Sequence, residues 1–152
     1  MSLAIANALL LILVLVELVV IGLYKKESIP WKEVIFNLNS GHILMWIFRG
    51  LEVSIFHMIS TQFGLGVVDS WPYVTIWIFT FFAWDFCFYW LHRIHHSLRF
   101  LWAVHVVHHE GEHYGLSLGI RNSWYSSLTS IPFFLGLAFM GIPVEVFLTV
   151  SS

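Results

Sequence analysis

At 152 residues, 59% of them hydrophobic and 11% charged, with a mean hydropathy of +0.82, the chain holds more apolar surface than a soluble domain of its length can hide; soluble domains carry about a quarter charged residues, and small ones bury only about two-thirds of their surface. Lipid is the expected solvent for that surface. A net charge of −2 without a lysine/arginine cluster excludes a nucleic-acid footprint, and a single cysteine, Cys87, excludes an internal disulfide and argues against a cysteine zinc site.

The first element is an apolar run from Leu3 to Tyr24, with no positive stretch before it and no small-residue cleavage pattern after it. About 20 residues suffice to span a bilayer, so the run reads as a retained transmembrane helix rather than a signal peptide. Glu17 within it is expected to face other helices. Lys25 to Ser40 mixes charges with Trp31, Val34, Ile35 and Leu38 and reads as a short interfacial amphipathic helix. A second span runs from about His42 to Phe63, opened by Ser40 as N-cap. The third begins at Trp71-Pro72 and continues through Leu91, with proline in its first turn. The fourth apolar stretch, Leu128 to Val150, is interrupted by Gly141 and Pro143, which predicts a helix, a turn and a second piece in the manner of a re-entrant hairpin. The expected fold is an all-α, multi-pass transmembrane bundle, with helices and an interfacial segment in residues 1–70 and a second part in 71–152.

With the N-terminus outside and three spans crossing, Lys25, Lys26, Lys32, Arg93, Arg99 and Arg121 all fall on the cytoplasmic side, as the positive-inside bias requires. Arg49 lies within the second span and is expected to reach Glu52 or Glu17. Trp71 and Tyr73 at one end, and Trp102 and Trp124 at the other, suit aromatic belts.

The nine histidines are the anomaly, because ionisable residues near hydrocarbon are functional candidates by default. His92 and His96 are spaced i, i+4, so both imidazoles leave one helical face and can meet one metal. At about 100° per residue, Asp85, Tyr89, His92 and His96 fall in an arc of roughly 60°, and His95 lies about 80° off it. His105, His108 and His109 span about 100° if helical and can all face inward. Neutral imidazole suits iron, copper or zinc, and spacing alone does not choose among them. Asp85, Glu110 and Glu112 are candidates to hold the second ring nitrogens, Asp85 for His92 first. His95 and His113 are expected outside the site, His42 and His57 are marginal, and Cys87 is expected to pack rather than ligate. The HExxH signature, a P-loop, GxGxxG and GxSxG are all absent.

Asp85-x3-Tyr89-x2-His92-Arg93-x-His95-His96, then Leu101-Trp102-x2-His105-x2-His108-His109, resembles the first two histidine boxes of the fatty acid hydroxylase/sterol desaturase superfamily. Glu112-His113-Tyr114 through Leu116, Ser117 and Arg121 resembles its alkylglycerol monooxygenase branch and bacterial sterol-desaturase-like proteins. The resemblance implies that His92, His96, His105, His108 and His109 ligate two non-haem irons, that Asp85 is a buried polar partner, and that Arg121 supports the site. It further implies an integral-membrane enzyme that uses O2 to hydroxylate or desaturate a lipid (fatty acyl, ether lipid or sterol) entering from the bilayer. Two electrons would come from a separate redox carrier, since no haem, flavin or iron–sulfur motif is present. Phenylalanines 79, 81, 82, 86, 88, 133 and 134 are candidates to line the lipid slot, with packing as the ordinary role of each. The family has a further HxxHH cluster downstream that this chain does not supply, so residues 71–152 are expected to be a partial catalytic domain, inactive alone. Two competing readings are a membrane metal transporter and a truncated non-catalytic membrane metal-binding protein or subunit. Metal passage should occupy broken helices at the membrane midplane, whereas these clusters fall at its surface.

Overall fold

The computed structural model describes residues 3–25, 28–40, 43–113 and 115–151. His42, Lys26 and Tyr114, all singled out above, lie outside the described residues. In chain order the elements are α1 (Leu3–Val20), continued by a π-helical turn (Ile21–Lys25), α2 (Trp31–Asn39), α3 (Ile43–Gln62), α4 (Tyr73–Ser97), α5 (Arg99–His109), α6 (Leu116–Ile120), α7 (Ser126–Phe139) and α8 (Val144–Val150). No strand occurs among the described residues. The fold class is all-α.

Prolines set three of these helix starts. Pro30, Pro72 and Pro143 precede α2, α4 and α8 with φ of −77°, −58° and −62°, close to what the pyrrolidine ring imposes. The fourth apolar stretch breaks as its sequence predicts, into α7 and α8, with Gly141 at φ +85° making the turn between them. The glycine is needed there because other residues rarely adopt that backbone.

Two apolar clusters hold the molecule. The larger joins α3, α4, α7 and α8 through Phe56, Ile76, Phe134, Leu137, Ile142 and Phe147, with Phe56 and Phe147 stacked at 4.0 Å between centroids. The smaller pins α2 onto α1 through Val14, Leu18 and Val34, with Ile120 of α6 against it. Elsewhere the apolar side chains face outward. On α1, Leu11, Ile12, Leu13, Leu15 and Val16 are exposed, and on α4 so are Val74, Ile78, Phe81, Phe82 and Phe86. Only Ile76, Thr80 and His95 of α4 are buried. A helix apolar on all sides needs an apolar surrounding. Among the described residues α4 is the one helix long and apolar enough to cross a membrane, and Leu11–Tyr24 and Ser126–Phe139 are shorter apolar helices.

One ionic knot lies inside the larger cluster. Glu52, 3% exposed, accepts from Arg49 Nη1 at 2.8 Å and from Ser130 Oγ at 2.6 Å. Arg49 also donates to Ser151 Oγ and stands 5.5 Å over the Phe147 ring. The knot thus fastens α3 to α7 and to the end of α8. Of the two acids open to Arg49 in the sequence, Glu52 is the one it meets; Glu17 instead accepts from the Leu116 N–H at 2.8 Å. Removing one member of a buried ion pair costs about 3–5 kcal/mol. Because Arg49 retains some exposure, Glu52→Leu is expected near the lower end of that range, with Glu52→Gln milder. Thermal unfolding in detergent micelles measures both.

Candidate metal centre

The site is made where two helices end. α4 stops at Ser97, Leu98 takes an extended conformation (φ −105°, ψ 123°), and α5 starts at Arg99. A one-residue connection folds α5 back against the last turns of α4. His92 and His96 project from α4, and His105 and His109, themselves an i, i+4 pair, project from α5. The rings meet across the helices: His92 and His105 lie 4.6 Å apart between centroids, and His96 and His109 4.8 Å. Trp102 covers one side, 5.2 Å from His96 and 5.5 Å from His109.

The donor atoms fit a metal. Within each pair the Nε2 atoms stand 3.2 Å apart (His92–His96) and 3.1 Å apart (His105–His109). Imidazoles bound about 2.0–2.1 Å from one ion are separated by roughly 2.9 Å at a right angle and roughly 3.4 Å at the tetrahedral angle. Both pairs fall inside that window. One ligand atom from each of the four residues lies within 4.8 Å of all the others. That exceeds slightly the roughly 4.2 Å that opposite ligands on a single ion can span. The two pairs can therefore share one ion after a small contraction, or serve two adjacent ions.

Ligation requires a neutral imidazole. Burial first, then the neighbouring imidazoles of His92, His109 and His96, push the His105 pKa down to about 4. Burial first, then the imidazoles of His108 and His96, lowers that of His109.

The other predicted residues fall as follows. His108 stands beside the quartet, its ring centroid 5.8 Å from that of His105, and its Nδ1 donates to the Arg121 main-chain carbonyl at 3.1 Å. A carbonyl only accepts, so Nδ1 holds the proton and Nε2 keeps the free lone pair. His95 is 2% exposed, with Nδ1 donating to the Leu91 carbonyl at 2.7 Å and Nε2 2.9 Å from Thr129 Oγ1. Both its nitrogens are spent on the fold. His113 pairs with Glu33 at 2.5 Å and lies apart from the quartet. The His113 imidazole, with its backbone N–H, holds the Glu33 carboxyl below the usual range. His57 is exposed on α3, and Cys87 packs against the larger core.

Asp85 differs from the expectation of a buried partner. It is exposed, with no hydrogen bond to His92 among the described residues, and lines an open cleft of about 410 Å³ with Phe88, Tyr89, His92 and Arg93. Two helical turns put its carboxylate too far along α4 to meet the ring. Arg93 donates to the Tyr89 hydroxyl at 2.6 Å along the same face. Glu110 reaches Arg121 at 3.3 Å rather than a histidine, and Glu112 offers its backbone N–H to Glu33. Arg121 is 7% exposed and donates to Asn37 Oδ1 as well. Asn37 and Glu33 have no motif to announce them, whereas Ser117 falls in the stretch that carries the resemblance. The i, i+4 spacing of His105 and His109 is the signal by which the second pair is found.

The loop between α5 and α6 is packed tightly: a Cβ at Gly111 would come within 2.3 Å of Leu118 Cδ1.

Because unfolded histidine takes up a proton near pH 6.5 and folded His105 refuses it until about pH 4, the unfolded chain binds more protons between those values. The chelator-treated chain therefore loses stability as pH falls from about 6.5 toward 4, while above 6.5 this residue has no effect. His105→Asn is expected to flatten the decline, read as denaturant midpoints at about pH 7.5 and about pH 5.

The fatty acid hydroxylase family matches residues 77–152, half of the chain and all of both histidine pairs. Alkylglycerol monooxygenase of Xenopus tropicalis is 30% identical over 139 residues, covering 90% of this chain and 31% of the relative. The Danio rerio and Homo sapiens alkylglycerol monooxygenases are 33% and 31% identical, each over 89% of this chain. The chain spans about a third (31%) of the length of these curated relatives. No solved structure matches it. The chain belongs to the fatty acid hydroxylase family.

Proposed function

We propose that this chain is the N-terminal part of an integral-membrane, non-haem di-iron oxygenase that hydroxylates an unactivated C–H bond of a lipid. The observation that carries the reading is the convergence of two i, i+4 histidine pairs at the foot of the apolar helix α4, inside the region matched by the family. An ether lipid is the preferred substrate, from the names of the most similar relatives; a fatty acyl chain or a sterol, and desaturation in place of hydroxylation, are the variants. α1, α3 and α4 are the proposed spans, in a multi-pass bundle with the histidines at the cytoplasmic face, residues 1–70 supporting the partial catalytic domain of 71–152.

His92, His96, His105 and His109 would hold iron, with His108 offering Nε2 as a further ligand. Iron so held supplies the binding and activation of O2 and the oxidising power to break the C–H bond. The net change balances as R–H, O2, two electrons and two protons giving R–OH and water, with the electrons from a separate redox protein. The chain's own contribution is to position and to exclude water. Trp102 shields the ring cluster on one side. The cleft of about 410 Å³ beside His92, with Phe88 and Tyr89 on its wall, is the proposed lipid entrance, open toward the bilayer side of α4. Asp85 and Arg93 at its edge can hold the polar end of an amphiphile while the alkyl chain lies along Phe88.

Metal content by mass spectrometry on detergent-purified protein, for this chain and for one extended to the relatives' length, tests the reading. About two irons per extended chain are expected. His92→Ala and His105→Ala should each lower the iron severalfold and abolish oxygenated lipid product, whereas His95→Gln should leave the iron in place. An extended chain that binds no iron, or variants that bind as the parent does, would sink the di-iron reading.

A further inference from the structure

A buried polar chain runs from the N-terminal segment to His108. Asn37 lies in α2, outside the family-matched residues, and is 1% exposed. An amide buried that deeply is costly unless both of its ends are bonded. Asn37 Nδ2 donates to Ser117 Oγ at 3.2 Å, and Arg121 Nη1 donates to Asn37 Oδ1 at 3.4 Å. The orientation of the amide follows from chemistry: a guanidinium can only donate, so the atom facing it is the oxygen. Phe36, the neighbour of Asn37 on α2, lies 4.8 Å under the Arg121 guanidinium, which compensates for the length of that hydrogen bond. Ser117 and Arg121 are themselves 6% and 7% exposed. Arg121 closes the route, because its main-chain carbonyl is the acceptor for His108 Nδ1.

Taking the metal reading above as its basis, we propose that Asn37 is a positioning residue of the metal centre. By clamping Ser117 and Arg121 at the two ends of α6, it sets the carbonyl that selects the Nδ1–H tautomer of His108 and leaves Nε2 as the ligating atom. Carbonyl partners of this kind fix both the ring orientation and the tautomer of ligating histidines. Without Asn37 the Arg121 side chain loses its buried acceptor and α6 loses its tie to α2. His108 is then free to rotate or to exchange tautomers. The interfacial helix thereby becomes part of the metal-binding machinery, although its one histidine contact, Glu33 with His113, is outside the quartet.

The test compares Asn37→Leu, Asn37→Asp and His105→Ala in detergent micelles with Co(II) as probe, together with 15N chemical shifts of the His108 ring in chelator-treated protein. Asn37→Leu should weaken Co(II) binding roughly tenfold to a hundredfold, the range for losing an outer partner of a ligand, and should shift His108 from a single Nδ1–H form to a tautomer mixture. Asn37→Asp can accept from both Arg121 and the Ser117 hydroxyl, so it should restore the parent's affinity and His108 spectrum. Helical circular dichroism unchanged in Asn37→Leu separates positioning from general unfolding. If Asn37→Leu does unfold, failure of Asn37→Asp to retain the parent's Co(II) affinity and Nδ1–H signal overturns the proposal. Parent affinity and an unchanged His108 signal in Asn37→Leu, with binding lost in His105→Ala, overturn the positioning role alone. A parent chain that takes up no Co(II) overturns the metal reading and the positioning role with it.

Discussion

The constraint on which the site depends is the sharp fold-back at Leu98. α4 is an apolar helix with most of its side chains facing outward, and its last two turns present His92 and His96 on one stripe. Those rings become a centre only because a single extended residue ends α4 and starts α5 at once. A joint this short turns α5 back beside the last turns of α4, and the same spacing of four then brings His105 and His109 opposite His92 and His96. A longer connection would let α5 swing away. Four imidazoles would then be four separate solvated rings, with no reason for the burial that keeps His105 neutral.

Polar groups in this molecule are placed at the joints, and each joint links a helix to the part that must hold still. Glu52 with Arg49 and Ser130 fastens α3 to α7 inside the apolar cluster. Glu17 and Glu33 each take backbone N–H groups of the stretch from Glu112 to Leu116, so two N-terminal carboxylates grip the segment that follows the second histidine pair. Arg121 joins α2, Glu110 and, through its carbonyl, His108. Inside apolar packing, unpaired polar groups are expensive, so such ties act as directional fasteners between otherwise featureless apolar surfaces.

The two histidines left out of the quartet are instructive. His95 sits next to His96 in the chain but points toward α7, its nitrogens taken by the Leu91 carbonyl one turn back on α4 and by Thr129 of α7. His113 pairs with Glu33 and serves to hold its loop. Neighbouring positions in one motif thus divide between metal-facing and fold-holding roles by the angle at which they leave the helix.

Much of the architecture was legible in the residues. Apolar runs, the prolines at 72 and 143, and Gly141 marked the helices and the break between α7 and α8, because backbone restrictions are local. The i, i+4 spacing of His92 and His96 likewise determined that two rings share a face, since helical geometry alone decides that. Tertiary structure decided the rest. Asp85 shares the stripe of His92 yet stays exposed, because a helical stripe says which side a residue faces and not how far along the axis its partner lies. Asn37 and Ser117 lie 80 positions apart in the chain, and no pattern in either neighbourhood announces the other. Their pairing, and the hold on His108 that follows from it, exist only once α6 has packed against α2.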